Sequence, residues 1–432
     1  MTDSSSAVAL LPWGDVVEDW IEPLGLSAES LGRRLPSSLW MLGYARALAT
    51  AGVDTVIVWF SSRVERPLRL RHEQTGVRMT VLPSSTPFRA ARAHMLRGRV
   101  RSTADPGRLV RPSLWYAARY LATPMLTLRA ALRRERCEAI LCQEYEYPRF
   151  DMCIAMRRIT GVPVFATFQG VQRQARIDPR VRAWTVPRAA GLVIGASAEA
   201  HRVQRHYGIN DGRIARISNA IDLEAWRPVD RARARAALGI PADASVIAWH
   251  GRVEIDIKGL DLLISAWHRL AAVRPDRNVR LLIVGTGLDA ARLAELLPSQ
   301  SVWVDEFVSD VSRLRQYLCA ADVYAFPSRK EGFPIAPLEA MACGLPVVAG
   351  QALGVRDIFE RGEESGGIVT SAGAEGLAEA LDRVLEDDSA RERLGQRARA
   401  RVREIASFER VGRRLYDFLT VRGAKVGQAD GR

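Results

Sequence analysis

Short, almost wholly apolar runs recur along this chain, separated by amphipathic segments, and that rhythm restricts its folds more than any other feature. Ala7–Leu11, Thr55–Phe60, Val77–Leu82, Ala139–Cys142, Val164–Thr167, Leu192–Ile194 and Ile214–Ile217 read as strands in the first half. Val246–His250, Val279–Val284, Ser301–Val304, Val323–Phe326 and Pro346–Val348 continue the series in the second. A strand that is apolar at consecutive positions is covered on both faces. Between the strands lie helical patterns at Ser38–Thr50, Leu114–Arg134, Phe150–Ile159, Ala198–Tyr207, Leu260–Ala272, Ala290–Leu296, Val311–Ala320 and Pro337–Cys343. Strand and helix in alternation predict parallel sheets clad by helices, the doubly wound α/β class.

The alternation breaks once. Asn219–Ala242 holds Asp222, Pro228, Asp230, Pro241 and an Arg-Ala helix, but no strand. A chain of 432 residues has length for two or three domains of about 100–200 residues each. The expected division is therefore a first Rossmann-like domain at 1–220, a linker at 221–241, a second Rossmann-like domain at 242–405, and a last helix with a polar tail at 406–432.

Hydrophobic content of 48% and charged content of 26% are globular values and exclude collagen, coiled coil and wholesale disorder. The formal net charge of +13 is the outlying figure. Almost all of the positive charge is arginine, the lysines being Lys258, Lys330 and Lys425. Arg-for-Lys usage is what a GC-rich coding sequence produces, yet that drift leaves net charge unchanged. Most of the excess lies in one stretch, where Arg89, Arg92, Arg97, Arg99, Arg101, Arg108, Arg111, Arg119, Arg129, Arg133, Arg134 and Arg136 face only Asp105 and Glu135, with Phe88, Trp115, Tyr116 and Tyr120 interleaved. A basic, aromatic-rich stretch over 88–136 suits an anionic membrane surface, and a solvated basic face has the same composition. Both readings stay open. Nucleic acid is not expected as a partner, because the charge is confined to one segment and no recognition motif accompanies it.

Cys137, Cys142, Cys153, Cys319 and Cys343 are odd in number and include no Cys-x-x-Cys pair, so neither a disulfide framework nor a zinc site is expected. The six histidines are scattered and no metal ligand set is predicted. Met1–Ser6 lacks the basic region of a signal peptide, and no apolar run reaches the length of about 18 residues that spans a bilayer. The expected compartment is the cytoplasm, at the inner face of the membrane if the basic stretch binds lipid.

Three glycine-marked turns follow strands of the second half. His250-Gly251-Arg252 is followed by Lys258-Gly259, which opens the helix from Leu260. Glycine lets backbone approach a ligand, a helix N-terminus offers free N–H groups, and two cations stand at the same rim. These are the parts of a diphosphate site. Val284-Gly285-Thr286-Gly287 is weaker, since a Gly-x-Gly can serve strand–helix packing alone. The third turn is the most specific. Ser328-Arg329-Lys330-Glu331-Gly332-Phe333-Pro334-Ile335-Ala336-Pro337-Leu338-Glu339-Ala340-Met341-Ala342-Cys343-Gly344-Leu345-Pro346-Val347-Val348 places Glu331 and Glu339 around the backbone N–H groups that open a helix.

Glu331-x7-Glu339 within this run, preceded by Gly251-Arg252…Lys258-Gly259, resembles the retaining nucleotide-sugar glycosyltransferases of family 4, which have the GT-B fold. Ala196-Ser197-Ala198-Glu199 and Ser218-Asn219-Ala220-Ile221-Asp222 look like further motifs of that family. The resemblance is convincing from about Gly161 to Arg410. It implies two Rossmann-like domains facing across a cleft, with the helix Phe408–Leu419 crossing back to the first. It implies a nucleoside-diphosphate sugar as co-substrate, no bound cofactor and no metal. Arg252 and Lys258 would hold the diphosphate, with Gly251 at their turn. Glu331 and the backbone of Gly332, Phe333 and Pro334 would hold the sugar, and Glu339 the ribose. Phe307, Val308, Ile335 and Leu338 would surround the base. Cations and helix N-termini at the leaving diphosphate would supply the stabilisation that a metal gives elsewhere.

The sequence departs from the family pattern at three places. Thr167-Phe168-Gln169-Gly170 carries Gln169 where many relatives have a histidine, a contact for sugar or acceptor. The segment Asp15–Leu35 is an insertion, and Pro36-Ser37-Ser38 replaces the usual Gly-Gly loop. Glu306 stands where glycine is common. The acceptor is open between a lipid-linked saccharide, another saccharide and a small metabolite. A GT-B protein that has lost catalysis and serves as a binding subunit is the alternative that Gln169 keeps open.

Overall fold

The computed structural model describes residues 6–22, 25–35, 39–102, 112–170, 179–371 and 373–423, without the side chains of 97–102 and 112–115. Pro36-Ser37-Ser38, part of the basic stretch and most of the polar tail lie outside the described residues.

The first sheet contains β1 (Ala7–Leu11), β2 (Asp54–Ser61), β3 (Leu68–Arg71), β4 (Arg78–Pro83), β5 (Cys137–Gln143), β6 (Val164–Thr167), β7 (Gly191–Val193) and β8 (Ile214–Ala215). Their spatial order is β3-β4-β2-β1-β5-β6-β7-β8. All pairs are parallel except β3 with β4. The second sheet contains β9 (Ser245–His250), β10 (Val279–Val284), β11 (Ser301–Val304), β12 (Val323–Phe326), β13 (Val347–Ala349) and β14 (Gly367–Val369). It is parallel throughout, in the order β11-β10-β9-β12-β13-β14.

These strands form because their side chains have apolar cover on both faces. Every residue of β1, β6, β12 and β13 is buried, with one core on each side of each sheet. The edge strand β3 was not expected. Its Leu-Arg-Leu-Arg alternation leaves arginine exposed and leucine half-buried, as suits an edge with one covered face. The helix expected over Leu114–Arg134 is two, Pro112–Tyr120 and Met125–Arg134. Pro124 stands between them, and proline disfavours helix in the residue before it.

The insertion is built into the first core. Val17, Ile21, Leu31 and Leu35 are buried, and the Glu18 carboxylate accepts from the Ser62 amide at 2.9 Å. Two arginines of the basic stretch turn inward to meet it: Arg92 pairs with Asp19 at 2.6 Å and Arg119 with Asp15 at 2.8 Å. They are therefore not part of an outward basic face. Among the described residues no helix is long and apolar enough to cross a membrane.

The last helix, Phe408–Val421, leaves the second domain and packs on Trp40–Thr50 of the first. Val411, Leu415 and Leu419 enter the first domain's core beside Leu10, Leu42 and Phe165. The Ile221 amide donates to Ala406 O at 2.8 Å and Ile221 bridges Ser407. The outgoing and returning segments thus run side by side where the chain passes between domains.

Candidate active site

In the second sheet the chain moves from β9 outward through β10 to β11, then returns to the other side of β9 for β12, β13 and β14. Such a reversal opens a crevice beyond the carboxyl ends of the two strands flanking it. Here those strands are β9 and β12, and the turns after them are His250-Gly251-Arg252 and Ser328–Glu331. The topology therefore brings together the two motifs that lie about 80 residues apart in sequence.

Lys258 Nζ donates to Glu331 Oε1 at 2.8 Å, with the side chains 21% and 14% exposed. Lys258 ends a one-turn helix, Ile255–Lys258, that was not expected ahead of Leu260–Val273. The Arg329 amide donates to Ile257 O at 2.9 Å, and its guanidinium grips both oxygens of Asp261 at 2.7 Å. The two turns are thereby fixed to one another. Arg252 is exposed and pairs with Glu254 at 3.4 Å. The weaker Gly-x-Gly turn is a packing device: a Cβ on Gly285 would lie 1.9 Å from Gly251 O.

Glu339, in the helix Ala336–Ala342, is buried and meets His250 Nε2 at 2.8 Å. His250 Nδ1 is buried without a partner, and so are Ser328 Oγ and Thr167 Oγ1. These three atoms sit at or just beyond the carboxyl ends of β9, β12 and β6.

Phe333 and Ile335 have a role that sequence reading did not assign. A Cβ on Gly195 of the first domain would lie 2.4 Å from the Phe333 ring, and Ile335 packs on the cores of both domains. Their side chains join the domains, which leaves the backbone of Phe333 for any donor contact. Leu338 is fully buried in the second core. Phe307 is exposed, Val308 packs partly on the same core, and Glu306 pairs with Arg313.

From the first domain, Gln169 reaches the turn that holds Gly332. Its amide N–H donates to Glu144 Oε1 at 2.7 Å, and its side chain exchanges hydrogen bonds with Asn219, each at 3.0 Å. Asn219 Nδ2 also donates to Phe333 O at 2.9 Å. The backbones touch here: a Cβ on Gly170 would lie 2.3 Å from the Gly332 nitrogen, and one on Gly332 would lie 2.4 Å from the Gln169 carbonyl carbon. Glu144 is buried with φ 64°, a left-handed conformation that a non-glycine residue adopts at some cost. Sequence reading missed Glu144, Asn219 as a link, and His250 as a partner for Glu339. A second link joins the domains where Asp357 accepts from the Ser197 amide at 3.1 and 3.0 Å and from Arg216 at 2.6 Å.

Two Rossmann-like domains with strand ends opposed across a cleft, and a last helix returned to the first, define the GT-B class of proteins. The family model described as "Glycosyltransferase Family 4" matches residues 40–225, and that described as "Glycosyl transferases group 1" matches residues 230–401. The chain belongs to the family 4 glycosyltransferases. It is similar to the D-inositol 3-phosphate glycosyltransferase of Saccharomonospora viridis, with 36% identity over 48% of this chain and 51% of that protein. The same-named protein of a Nocardioides species is 33% identical over 55% of each. The chain thus matches about half the length of these curated relatives. Among solved structures, sucrose-phosphate synthase of Thermosynechococcus elongatus aligns over 96% of this chain and 98% of its own, with TM-score 0.68 and 19% identity. Anabaena Alr3699/HepE in complex with UDP aligns over 96% and 100%, with TM-score 0.68 and 17% identity.

Proposed function

We propose that the chain transfers a sugar from a nucleoside diphosphate to a hydroxyl acceptor, with retention at the anomeric carbon and with Arg252 and Lys258, rather than a metal ion, at the leaving diphosphate. The observation that carries this reading is the Lys258–Glu331 pair at the crevice between β9 and β12. It supports the reading because a fixed ammonium stands beside Glu331, beyond the carboxyl ends of β9 and β12, and a crevice of that kind suits a nucleotide's phosphates. As the sugar–phosphate bond breaks, charge builds on the departing oxygen. A cation already held in place stabilises that charge without reorganisation. Glu339 accepts from the ribose hydroxyls. Gln169, held by Asn219 and Glu144, offers its side-chain amide to the sugar or the acceptor, where an imidazole would offer a titratable nitrogen.

The acceptor hydroxyl attacks the face from which the diphosphate leaves, and a leaving phosphate oxygen takes its proton. The bond from sugar to phosphate is exchanged for one from sugar to acceptor, and no covalent enzyme intermediate forms. The relatives named for D-inositol 3-phosphate recommend small phosphorylated polyols as the first acceptors to try, followed by saccharides and lipid-linked saccharides. Donor hydrolysis and thermal shift across UDP-, GDP- and ADP-sugars, then the anomeric configuration of the product by NMR, test the reading. Trapping of a glycosyl–enzyme adduct, or an inverted product, would overturn the mechanism. Binding of nucleotide sugars without turnover on any acceptor would favour a degenerate binding subunit instead.

Exposed Leu121 and Leu126, and exposed Arg133, Arg134 and Arg136 in the same stretch of sequence, support an anionic lipid surface as a further partner of the first domain. Co-sedimentation with vesicles that depends on anionic lipid would bear this out, and equal binding to neutral vesicles would refute it.

A further inference from the structure

One arginine holds the chain on both sides of Lys258. Arg329 lies in the turn after β12, two residues before Glu331. Its guanidinium donates to the Asp256 carbonyl at 3.0 Å and, through two nitrogens, to both oxygens of Asp261 at 2.7 Å each. Its amide donates to Ile257 O at 2.9 Å. These contacts fall just before and just after Lys258. Close packing adds to them, because Gly259 has φ 69° and a Cβ there would lie 2.2 Å from Pro327 O. The start of the one-turn helix Ile255–Lys258 is pinned as well, by Asp289, which accepts from the Ile255 amide at 2.8 Å.

A lysine ammonium rides on a flexible four-carbon stem, so its position is only as definite as the backbone beneath it. A single helical turn has little stability of its own. The frame around Lys258 therefore has to come from its neighbours, and Arg329 supplies most of it. Arg329 and Asp261 are 40% and 38% exposed, and an exposed ion pair adds little to the stability of a fold. Two parallel hydrogen bonds do fix direction, which a lysine in the same place cannot match. Asp261 is in the first turn of the helix Leu260–Val273, where a carboxylate is favoured. The Arg329 hydrogen bond foremost keeps its carboxyl below the ordinary value. The guanidinium is thus engaged within the frame.

We propose that Arg329 is a positioning residue for glycosyl transfer, one that acts through Lys258 by clamping the turn 256–261 to the end of β12. The inference rests on the reading that Lys258 meets the leaving diphosphate. A cation stabilises developing charge in proportion to how well it is placed beforehand, and a displacement of about 1 Å at a reacting centre costs about a hundredfold in rate. In this role Arg329 touches neither sugar nor phosphate. Its removal should slow turnover by letting the Lys258 ammonium wander, while the ground-state grip on a nucleotide, which draws on other groups too, changes less.

The test pairs NMR with kinetics on the full chain. Because the lysines are only Lys258, Lys330 and Lys425, lysine labelled with nitrogen-15 gives few ammonium signals, and that of Lys258 is assigned by its loss in Lys258→Arg. In Arg329→Gln this signal should broaden or vanish as the pair with Glu331 loosens. Arg329→Gln, Arg329→Lys and Asp261→Ala should each lower kcat by about tenfold, a part of the cost of full displacement. The Kd of UDP, GDP or ADP, whichever binds wild type, should stay within about threefold. The double variant Arg329→Gln, Asp261→Ala should be no slower than either single one, as expected of two groups in one contact. An unchanged Lys258 signal, wild-type kcat in Arg329→Gln, or losses that multiply in the double variant would overturn the proposal. If Arg329→Gln fails to fold, Asp261→Ala carries the same two measurements. Wild-type rates in Lys258→Ala would sink the reading of the crevice and this proposal with it, whereas an inactive Lys258→Ala beside a fully active Arg329→Gln would sink this proposal alone.

Discussion

Replacing His250 tests whether Glu339 is positioned or merely present. His250→Phe keeps a ring of similar size and removes Nε2. The two side chains are 7% and 8% exposed, and among the described residues no other group is hydrogen-bonded to the Glu339 carboxylate. Leaving a buried acceptor unsatisfied costs about 1–3 kcal/mol, more when it is charged. If about 2 kcal/mol of that is felt as loss of aim at the ribose, the donor binds about thirtyfold more weakly, at 1.4 kcal/mol per factor of ten. A ribose contact is made equally in ground and transition states. The loss should therefore appear in the donor KM and in the Kd of the bare nucleoside diphosphate, while kcat changes by less than about threefold. His250→Gln, whose side-chain N–H can reach the same oxygen, should recover most of the affinity. Calorimetric titration and steady-state kinetics on the three proteins decide it. Wild-type donor affinity in a folded His250→Phe protein, or no recovery with glutamine, would refute the reasoning.

Lys258→Ala and Glu331→Ala should each reduce transfer by about a hundredfold or more while leaving far-UV circular dichroism unchanged, and wild-type rates would show that the crevice is not the site. Asp357→Ala removes the carboxylate that holds the Ser197 amide and Arg216. Hydrogen exchange in the first turn of Ser197–Tyr207 should quicken there, and not in Trp40–Thr50. Leu415→Ala should cost about 2–5 kcal/mol, as truncation of a buried leucine does, read from urea unfolding. A shift below about 0.5 kcal/mol, the range of surface substitutions, would mean that the last helix is not part of the first core.

The long apolar strands were legible because they must be covered on both faces. β1, β6, β10 and β12 fall where Ala7–Leu11, Val164–Thr167, Val279–Val284 and Val323–Phe326 said they would, and the half-exposed edge strand β11 falls on Ser301–Val304, whose apolar side chains marked it nonetheless. β3 was not, because it is half solvated, and β14 spans only Gly367–Val369. The cleft motifs were legible as chemistry. What they touch was not, because register within the sequence carries no information about which turns a crossover brings together. Lys258 meeting Glu331, and His250 meeting Glu339, depend on β12 lying beside β9. The Phe333 and Ile335 side chains, which lie against both domains, show the same limit: sequence spacing does not reveal which side chains join two domains.

The returning helix has a consequence for how the molecule is made. A ribosome delivers β1 to β8 first, yet Val411, Leu415 and Leu419, which complete the core behind β1 and β6, are delivered only after β9 to β14. The domain synthesised first is therefore finished last. During that interval the face of Trp40–Thr50 that Phe408–Val421 will cover stays open to water or to other proteins. The second sheet can close as soon as its own strands emerge, so nascent chains should gain protease resistance in the order second domain, then first.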